Sequence, residues 1–364
     1  MRHKKKLLIG AAAGTLALLA ITSNSNSNTH AFQSTLASNL TPKTVAVNVA
    51  TNKATVSLTG PAQSDITKTY TLTGQVRIAG DTVPNLTEIT IVRTFGKQVR
   101  TYHVPTEDEN GSFTFSQSVL GKGTYSYTAE YPGDKALGIA SAKSAAHTLK
   151  ATLLTPSLTL TSPATYNYHP TMHVTVNLGK TYTNRTVYVY AQPVGLPKKL
   201  IEKGNVNSNG QLTAFYHTPY TTKFTVVYKG DARDYPKTVT GTYTVLAAVQ
   251  LKLSGFYKSE IIDGTMFRLY HRLGQLVVTE TVLPKKYGAC GFFEVQEHYD
   301  GAWHANMDTS CTDLSADSQV YGYLNMTGAT QAYEYRIRAH FLRSSTDNSD
   351  ASNTSGWQYV LIEP

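Results

Sequence analysis

The sequence predicts an all-β chain of three tandem β-sandwich domains, and an internal repeat is the main reason. The stretch TYSYTAEYPGD at 124–134 returns 97 positions later as TTKFTVVYKGD at 221–231, so that Tyr131 falls on Tyr228. Each copy alternates with the two-residue period of a half-buried strand and ends in a Gly-Asp turn. Helical periodicity is missing after the N-terminal segment. A strand repeated at about the length of one small domain predicts a string of sandwiches.

The N-terminal segment has the composition of a secretory signal peptide. The basic start MRHKKK is followed by an apolar run from Leu7 to Ile21 and by a small-residue site that ends at Ala31. This pattern predicts a signal peptide over 1–31, whereas an uncleaved anchor would need a longer apolar run. We therefore expect an exported chain with no membrane span after cleavage. It would be secreted and extracellular, either released or held non-covalently at the cell wall.

The remaining chain has room for three domains. Cleavage after residue 31 of the 364 leaves 333, or 111 for each domain, which suits an immunoglobulin-type sandwich of about 100 residues. Residues 32–53 are interpreted as a linker, in which the alternating stretch 44–50 is either an extra strand or the first strand. The repeat then predicts immunoglobulin-like sandwiches over 54–152 and 153–247, and a divergent third sandwich over 248–364.

Charge and cysteine content narrow the partners and the compartment. Loss of the four cationic residues of the leader lowers the formal net charge from +9 to +5, which is compatible with anionic cell-wall polymers and gives no reason to expect nucleic acid. The chain has only two cysteines, Cys290 and Cys311. In an exported chain, such a pair indicates a disulfide rather than a metal or redox site.

Several of these segments also resemble a known class of proteins. GTYSYTAEYPGD at 123–134 resembles the immunoglobulin-like and fibronectin-type-III-like repeats of secreted bacterial surface proteins. The third domain, with FFEVQEHYDGAWH, YRIRAHFLRSS and the closing Trp357, resembles a C-terminal module found with such repeats. This likeness implies strands and turns but no shared catalytic residues. The chain departs from the pattern where Thr222 stands at the Tyr125 position and where the third domain lacks the Gly-Asp turn.

A search for chemistry in the sequence finds no enzyme motif, so we expect no catalytic, cofactor-binding or metal-binding residues. His298 and His304 flank a predicted turn but lack an obvious third zinc ligand. Acidic loops at 107–109, 231–234 and 347–350 could hold calcium, although none has a defined calcium-loop spacing and ordinary solvated turns explain them as well. Calcium is therefore the only cofactor that the sequence leaves open.

The third domain carries the candidate site. Asp300-Gly301 predicts a hairpin turn, and Cys290 and Cys311 each lie ten residues from it, so the hairpin register predicts a cross-strand disulfide. The same register groups Phe292, Trp303 and Met307 on the disulfide's face. A second set, Phe293, Val295 and Tyr299, takes the other, core-facing side. The first group is a candidate ligand patch, or else a face that packs against a neighbouring strand or domain.

These observations lead to three alternative functions. The first is a secreted, non-catalytic surface, adhesion or scaffold protein whose immunoglobulin-like modules present a binding face. The second is recognition of a cell-wall or host glycan, since aromatic side chains on strands can stack on sugar rings. The third, from a different class, is a secreted hydrolase or a hydrolase accessory. The expected partners are accordingly a cell-wall polymer, a glycan or a surface protein.

Overall fold

Every regular element in the described part of the chain is a β-strand, which confirms the all-β class. The structure is a computed structural model that describes residues 52–84, 86–325 and 332–363. Within these ranges no helix is long and apolar enough to cross a membrane. The predicted signal peptide, the stretch 44–50 and nearly all of the linker 32–53 lie outside the described residues.

The first sandwich is built from nine strands in two sheets. One sheet has the order β1-β3-β6, and the other has the order β2-β9-β7-β4-β5 with β8 beside β7. The strands are β1 (Ala54–Thr59), β2 (Gln63–Asp65), β3 (Tyr70–Ile78), β4 (Glu88–Phe95), β5 (Gln98–Pro105), β6 (Ser112–Gln117), β7 (Gly123–Tyr131), β8 (Ala142–Lys143) and β9 (His147–Thr152).

The second sandwich repeats this plan. A three-stranded sheet, β10-β12-β15, faces a five-stranded sheet, β11-β17-β16-β13-β14. The strands are β10 (Thr159–Thr161), β11 (Thr165–Tyr166), β12 (Thr171–Asn177), β13 (Thr186–Pro193), β14 (Lys199–Asn205), β15 (Gln211–His217), β16 (Thr222–Tyr228) and β17 (Lys237–Val245).

The third sandwich has a small sheet, β18-β21-β25, and a large sheet, β19-β20-β28-β26-β22-β23, with β24 beside β22 and β27 beside β26. The strands are β18 (Ala248–Ser254), β19 (Lys258–Ile262), β20 (Thr265–His271), β21 (Gln275–Leu283), β22 (Cys290–Tyr299), β23 (Ala302–Asp308), β24 (Thr312–Asp313), β25 (Gln319–Asn325), β26 (Tyr333–Leu342), β27 (Asn353–Thr354) and β28 (Gln358–Glu363).

Strand register confirms that the first two sandwiches are repeats. Ile91 of β4 lies opposite Ala129 of β7, and the corresponding residues, Val189 of β13 and Val226 of β16, lie opposite each other as well. The predicted anchor tyrosines, Tyr131 and Tyr228, are both buried. The two-residue period thus places one face of each strand in a core. The repeat spacing, 98 residues from Ile91 to Val189 and 97 from Ala129 to Val226, reproduces the same pairing.

The Gly-Asp turn recurs because the backbone there has no room for a side chain. Gly133 and Gly230 have φ angles of 81° and 78°. A Cβ on Gly133 would lie 2.7 Å from the carbonyl oxygen of Ile139, and one on Gly230 would lie 2.7 Å from that of Asp234. Only glycine fits both the left-handed backbone and the close approach.

Each sandwich has its own hydrophobic core, as its two sheets require. The three buried clusters are separate and draw on inward residues of both sheets. Tyrosines supply much of this volume: Tyr127, Tyr228 and Tyr270 are among the largest fully buried side chains. Burial in the cores therefore explains part of the high tyrosine content, and exposed tyrosines are the ones that point to binding.

Candidate functional site

The disulfide and the hairpin of the third sandwich only partly match the strand register predicted from the turn at Asp300-Gly301. A disulfide joins Cys290 and Cys311, with their Cα atoms 5.4 Å apart. Near the turn, His298 lies opposite Trp303, as the register predicts. A bulge at Val295 then shifts the pairing, and Cys290 lies opposite Asp313. The expectation that the two cysteines are directly opposed is therefore wrong. The bulge accounts for one residue of the shift, and a second extra residue lies between Asp308 and Thr312, so the pairing at Cys290 is displaced by two.

The same bulge separates the members of the predicted ligand patch. Met307 lies opposite Val295, which is buried in the core, so Met307 belongs to the inner side and is exposed only at the sheet edge. Phe292 and Trp303 remain on the outer face. The three side chains do not form the single apolar patch that the register predicted. Tyr299 has the predicted inward parity but is 51% exposed beside the turn, so its assignment to the core is also wrong.

Aromatic rings on this outer face are covered by side chains of the same sheet. The Arg336 guanidinium lies between two indoles, 4.8 Å from the Trp303 ring centre and 4.4 Å from that of Trp357. The Arg338 guanidinium also lies 4.4 Å from the centre of the Trp357 ring. Such cation–π contacts hold the rings in place. These stacked arginine and tryptophan side chains therefore stabilise the sheet, and the rings are not open to a ligand.

The rest of this outer face carries an ion-pair cluster centred on Glu294. Glu294 accepts hydrogen bonds from Arg338 and from His340 Nε2, the latter at 2.8 Å. Partial burial disfavours the Glu294 carboxylate, but these bonds outweigh it and hold its pKa below the ordinary value. Phe292 stacks on the His340 ring with centroids 4.6 Å apart. At this end of the outer face, too, the polar groups and aromatic rings already contact other side chains of the sheet.

The opposite face of the third sandwich presents two exposed tyrosines side by side. Tyr321 and Tyr323 of β25 are 56% and 63% exposed, whereas Val320 and Leu324 on the same strand point into the core. Residues two apart on a strand share a face and lie about 7 Å apart. The sequence VYGYLNM contains this alternation. Assigning its apolar residues to the core by the two-residue period of a strand would have predicted that both tyrosines point outward.

Polar side chains surround the two tyrosines. Tyr321 donates its phenol hydrogen bond to Gln319 Oε1, and Gln319 Nε2 donates to Thr281 Oγ1 at 3.2 Å. Thr279 lies opposite Tyr321, and Lys252 lies opposite Thr279 on the next strand. The face thus combines flat aromatic surface with hydroxyl and amide groups that can both donate and accept hydrogen bonds. We call this set of side chains on β18, β21 and β25 the tyrosine face.

A second candidate is a cleft of about 550 Å³ between the second and third sandwiches, lined by Leu196, Tyr220, Pro284, Lys286 and Asp347 among others. The Lys286 ammonium lies 2.7 Å from Asp350 Oδ2 and 2.8 Å from Asp347 Oδ2, and its side chain is 3% exposed. Because two carboxylates already use this cation, the cleft offers a ligand little unpaired charge.

The Lys286 cluster instead fixes the joint between these two sandwiches. The loop that carries its carboxylates accepts a 2.7 Å hydrogen bond at the Ser349 carbonyl from the Thr221 N–H, and the Ala351 N–H donates to Val245. Burial raises the pKa of Asp350, although the bond from Lys286 opposes the shift. Hydrogen bonds from Lys286 and Ser349 outweigh burial at Asp347 and lower its pKa to about 2.

A third perturbed group lies in the core. Glu280 of β21 is fully buried, and neither of its carboxylate oxygens has a hydrogen-bond partner among the described residues. Burial raises its pKa to about 8. A Cβ on Gly291 would lie 2.4 Å from Glu280 Oε2, so the carboxyl group packs directly against the backbone of the opposite sheet.

The carboxylates considered for calcium are used by the chain itself. Asp231 Oδ2 accepts hydrogen bonds from the N–H groups of Thr183 and Asn184, while Asp234 Oδ2 accepts one from Tyr182. Although burial opposes it, these and other backbone donors hold the pKa of Asp231 far below its ordinary value. Across the described ranges, no group of three or more His, Cys, Asp or Glu side chains is placed to hold a metal ion.

Comparison with known proteins yields only structural neighbours. No family model matches the chain, and no curated protein matches it. Among solved structures, the chain is similar to three N-terminal domains of the highly immunogenic outer capsid protein of bacteriophage RB49, at 12% identity and a TM-score of 0.32, covering 85% of this chain and 99% of that one.

Two further neighbours have different coverage. For the FN1–FN3 domains of chicken CNTN1, the identity is 11%, the TM-score is 0.25, and the coverage is 86% of this chain and 99% of that one. For trypsin-activated α2-macroglobulin from Escherichia coli, the identity is 14%, the TM-score is 0.24, and the match covers 87% of this chain. The chain spans only 24% of that macroglobulin. The fold class follows from the sheets described above, and these likenesses add no functional argument.

Proposed function

We propose that the protein is a secreted, non-catalytic surface protein whose third sandwich binds a neutral glycan through the tyrosine face. The observation that carries the proposal is the pair of exposed rings at Tyr321 and Tyr323. A flat sheet with two neighbouring rings can stack against the apolar faces of consecutive sugar units. The first two sandwiches then act as modules that hold this face away from the point of attachment.

The surroundings of the rings favour a sugar over an apolar protein partner. Gln319, Thr281 and Thr279 lie beside the tyrosines and supply amide and hydroxyl groups. A sugar presents hydroxyls around an apolar ring face, so both parts of the ligand find a complement there. A purely apolar partner would bury the remaining donors and acceptors of these polar groups without giving them hydrogen bonds, at a cost for each one buried.

The non-catalytic part of the proposal draws on the positions of the strongly perturbed carboxyl groups. Glu280 is fully buried in the core, and Asp231 accepts hydrogen bonds from several N–H groups. Asp350 is buried against Lys286. Catalytic acids and bases need access to a substrate as well as a shifted pKa. In each of these three cases, burial or hydrogen bonding within the fold accounts for the shift.

The proposal is tested by titrating the protein with chitohexaose and cellohexaose in a calorimeter. We expect the double variant Tyr321→Ala/Tyr323→Ala to lose about 2 kcal/mol of binding free energy, about thirtyfold in Kd, because central aromatic anchors contribute most to binding. The control is Tyr287→Ala, which removes a tyrosine that is 80% exposed elsewhere on the same sandwich. Equal affinities for the double variant and the wild type, or an equal loss in the control, would contradict the proposal.

A further inference from the structure

The outer face of the five-stranded sheet in the second sandwich carries a cluster of lysines around two tyrosines. Lys229 Nζ lies 4.5 Å from the ring centre of Tyr188, and Lys203 Nζ lies 5.7 Å from the same ring. Lys198 Nζ lies 4.5 Å from the ring centre of Tyr190. With the exposed Lys223 on β16, these side chains form what we call the lysine face, defined by Tyr188, Tyr190, Lys198, Lys203, Lys223 and Lys229.

The four ammonium groups of the lysine face lack carboxylate partners. None of the ion pairs found in the described part of the chain includes any of these lysines, although lysines elsewhere do pair, as Lys143 does with Glu130. Glu202 on neighbouring β14 points to the other side of the sheet, where its Oε1 lies 3.4 Å from the position of a Cβ on Gly204. The face therefore has an uncompensated positive charge.

The first sandwich shows that the fold does not require this cluster. The pairing of Tyr188 with Val227 corresponds to that of Thr90 with Glu130. By the repeat spacing, Ser126 and Pro132 stand where the second sandwich has Lys223 and Lys229. His103 lies opposite Thr90, in the place that Lys203 takes opposite Tyr188. The same sheet thus folds without a tyrosine at the position of Tyr188 and without lysines at the positions of Lys203, Lys223 and Lys229, so their presence in one repeat indicates a role other than stability.

We propose that the lysine face binds an anionic polysaccharide, a linear sugar polymer with a sulfate, carboxylate or phosphate on successive units. This goes beyond the function proposed above, because it is a separate site on another sandwich for a ligand of opposite character. Four unpaired cations on one flat face complement a row of anions.

The arrangement of the rings favours a polysaccharide over a nucleic acid. Ammonium groups lie over both tyrosine rings, so the rings hold the cations in place and are not open platforms for bases. The neighbouring strand β17 adds a row of exposed hydroxyls at Thr238, Thr240 and Thr242, which can hydrogen-bond to sugar hydroxyls. The face thus offers contacts for charges and for sugar hydroxyls.

The test uses the full chain and a matched pair of polymers, dextran and dextran sulfate, together with polygalacturonate and a single-stranded oligonucleotide. The face variant is Lys203→Gln/Lys223→Gln/Lys229→Gln. Its control is Lys53→Gln/Lys97→Gln/Lys150→Gln, which removes the same charge from exposed lysines of the first sandwich. Thermal unfolding of both variants checks that the fold is kept.

We expect the wild type to bind dextran sulfate or polygalacturonate and not dextran, with an affinity that falls as salt is added. The face variant should bind about tenfold more weakly or worse, while the control keeps nearly all its affinity. Comparing the two anionic polymers distinguishes sulfate from carboxylate recognition. The proposal is overturned if no anionic polymer binds at low salt, if the two triple variants lose affinity equally, or if the oligonucleotide binds more tightly than the polysaccharides.

Discussion

The buried carboxyl group of Glu280 makes the stability of the third sandwich fall as the pH rises from 4.5 to 8, and replacing it by glutamine should remove that dependence. The side chain is fully buried, without hydrogen-bond partners among the described residues. Burial raises its pKa from the ordinary 4.5 to about 8. The folded state therefore accepts the protonated acid and rejects the carboxylate, whereas the unfolded chain accepts both.

The sign and the size of the effect follow from this shift. Between pH 4.5 and pH 8 the folded state keeps a proton that the unfolded state releases, so the free energy of unfolding falls as the pH rises. Each pH unit costs about 1.4 kcal/mol, and the whole interval amounts to about 5 kcal/mol. Glu280→Gln has nearly the same shape and does not titrate. Its stability relative to the wild type should therefore increase across this interval and level off above it.

The chain provides a selective probe for this measurement. Its only two tryptophans, Trp303 and Trp357, both belong to the third sandwich. Denaturant unfolding followed by tryptophan fluorescence at a series of pH values therefore reports on that sandwich alone. Glu260→Gln, which removes a partly exposed carboxylate from the same sandwich, serves as the control. Parallel stability curves for the wild type and Glu280→Gln between pH 5 and pH 9 would refute the reasoning.

Two further predictions concern the covalent and ionic links of the third sandwich. Lys286→Met should lower the free energy of unfolding by about 3–5 kcal/mol, because it leaves the buried Asp350 without its cationic partner. The same fluorescence assay measures this change. A loss below about 1 kcal/mol would contradict the prediction and mean that the ion pair is solvated. Cys290→Ser/Cys311→Ser should lower the free energy of unfolding by about 3 kcal/mol, because the disulfide closes a loop over a sequence separation of 21 and so restricts the unfolded chain. Unchanged stability would show that the disulfide does not restrict the unfolded chain.

Local alternation in the sequence is enough to predict the architecture of this chain. The repeat at 124–134 and 221–231 determines which residues face the core, because the period of a strand is two and one face must be buried. Tyr131 and Tyr228 are accordingly buried at equivalent places. The same logic would have identified Tyr321 and Tyr323 as outward residues, since Val320 and Leu324 on either side point inward.

Features that depend on contacts distant in sequence were not predictable in this way. The bulge at Val295 has no local signal, yet it moves Met307 to the inner side. Together with a second one-residue shift before Thr312, it moves Cys290 away from direct opposition to Cys311. Glu280 occupies an inward position in QLVVTETV, but its charge argues for the surface, and only the packing against Gly291 shows where it lies. Likewise, the ion pair between Lys286 and Asp350 joins residues that are distant in the sequence, and no sequence motif predicts it.

Hydrogen–deuterium exchange in the presence of chitohexaose tests the central claim, that the tyrosine face is the glycan site, most directly. The strand β25 is an edge strand of the small sheet, so its outward N–H groups exchange readily and report on a ligand that covers them. We predict slower deuterium uptake in peptides covering 319–325 and no change in those covering 222–228 of the lysine face. Binding without protection at 319–325, or with protection confined to another sandwich, would contradict the account.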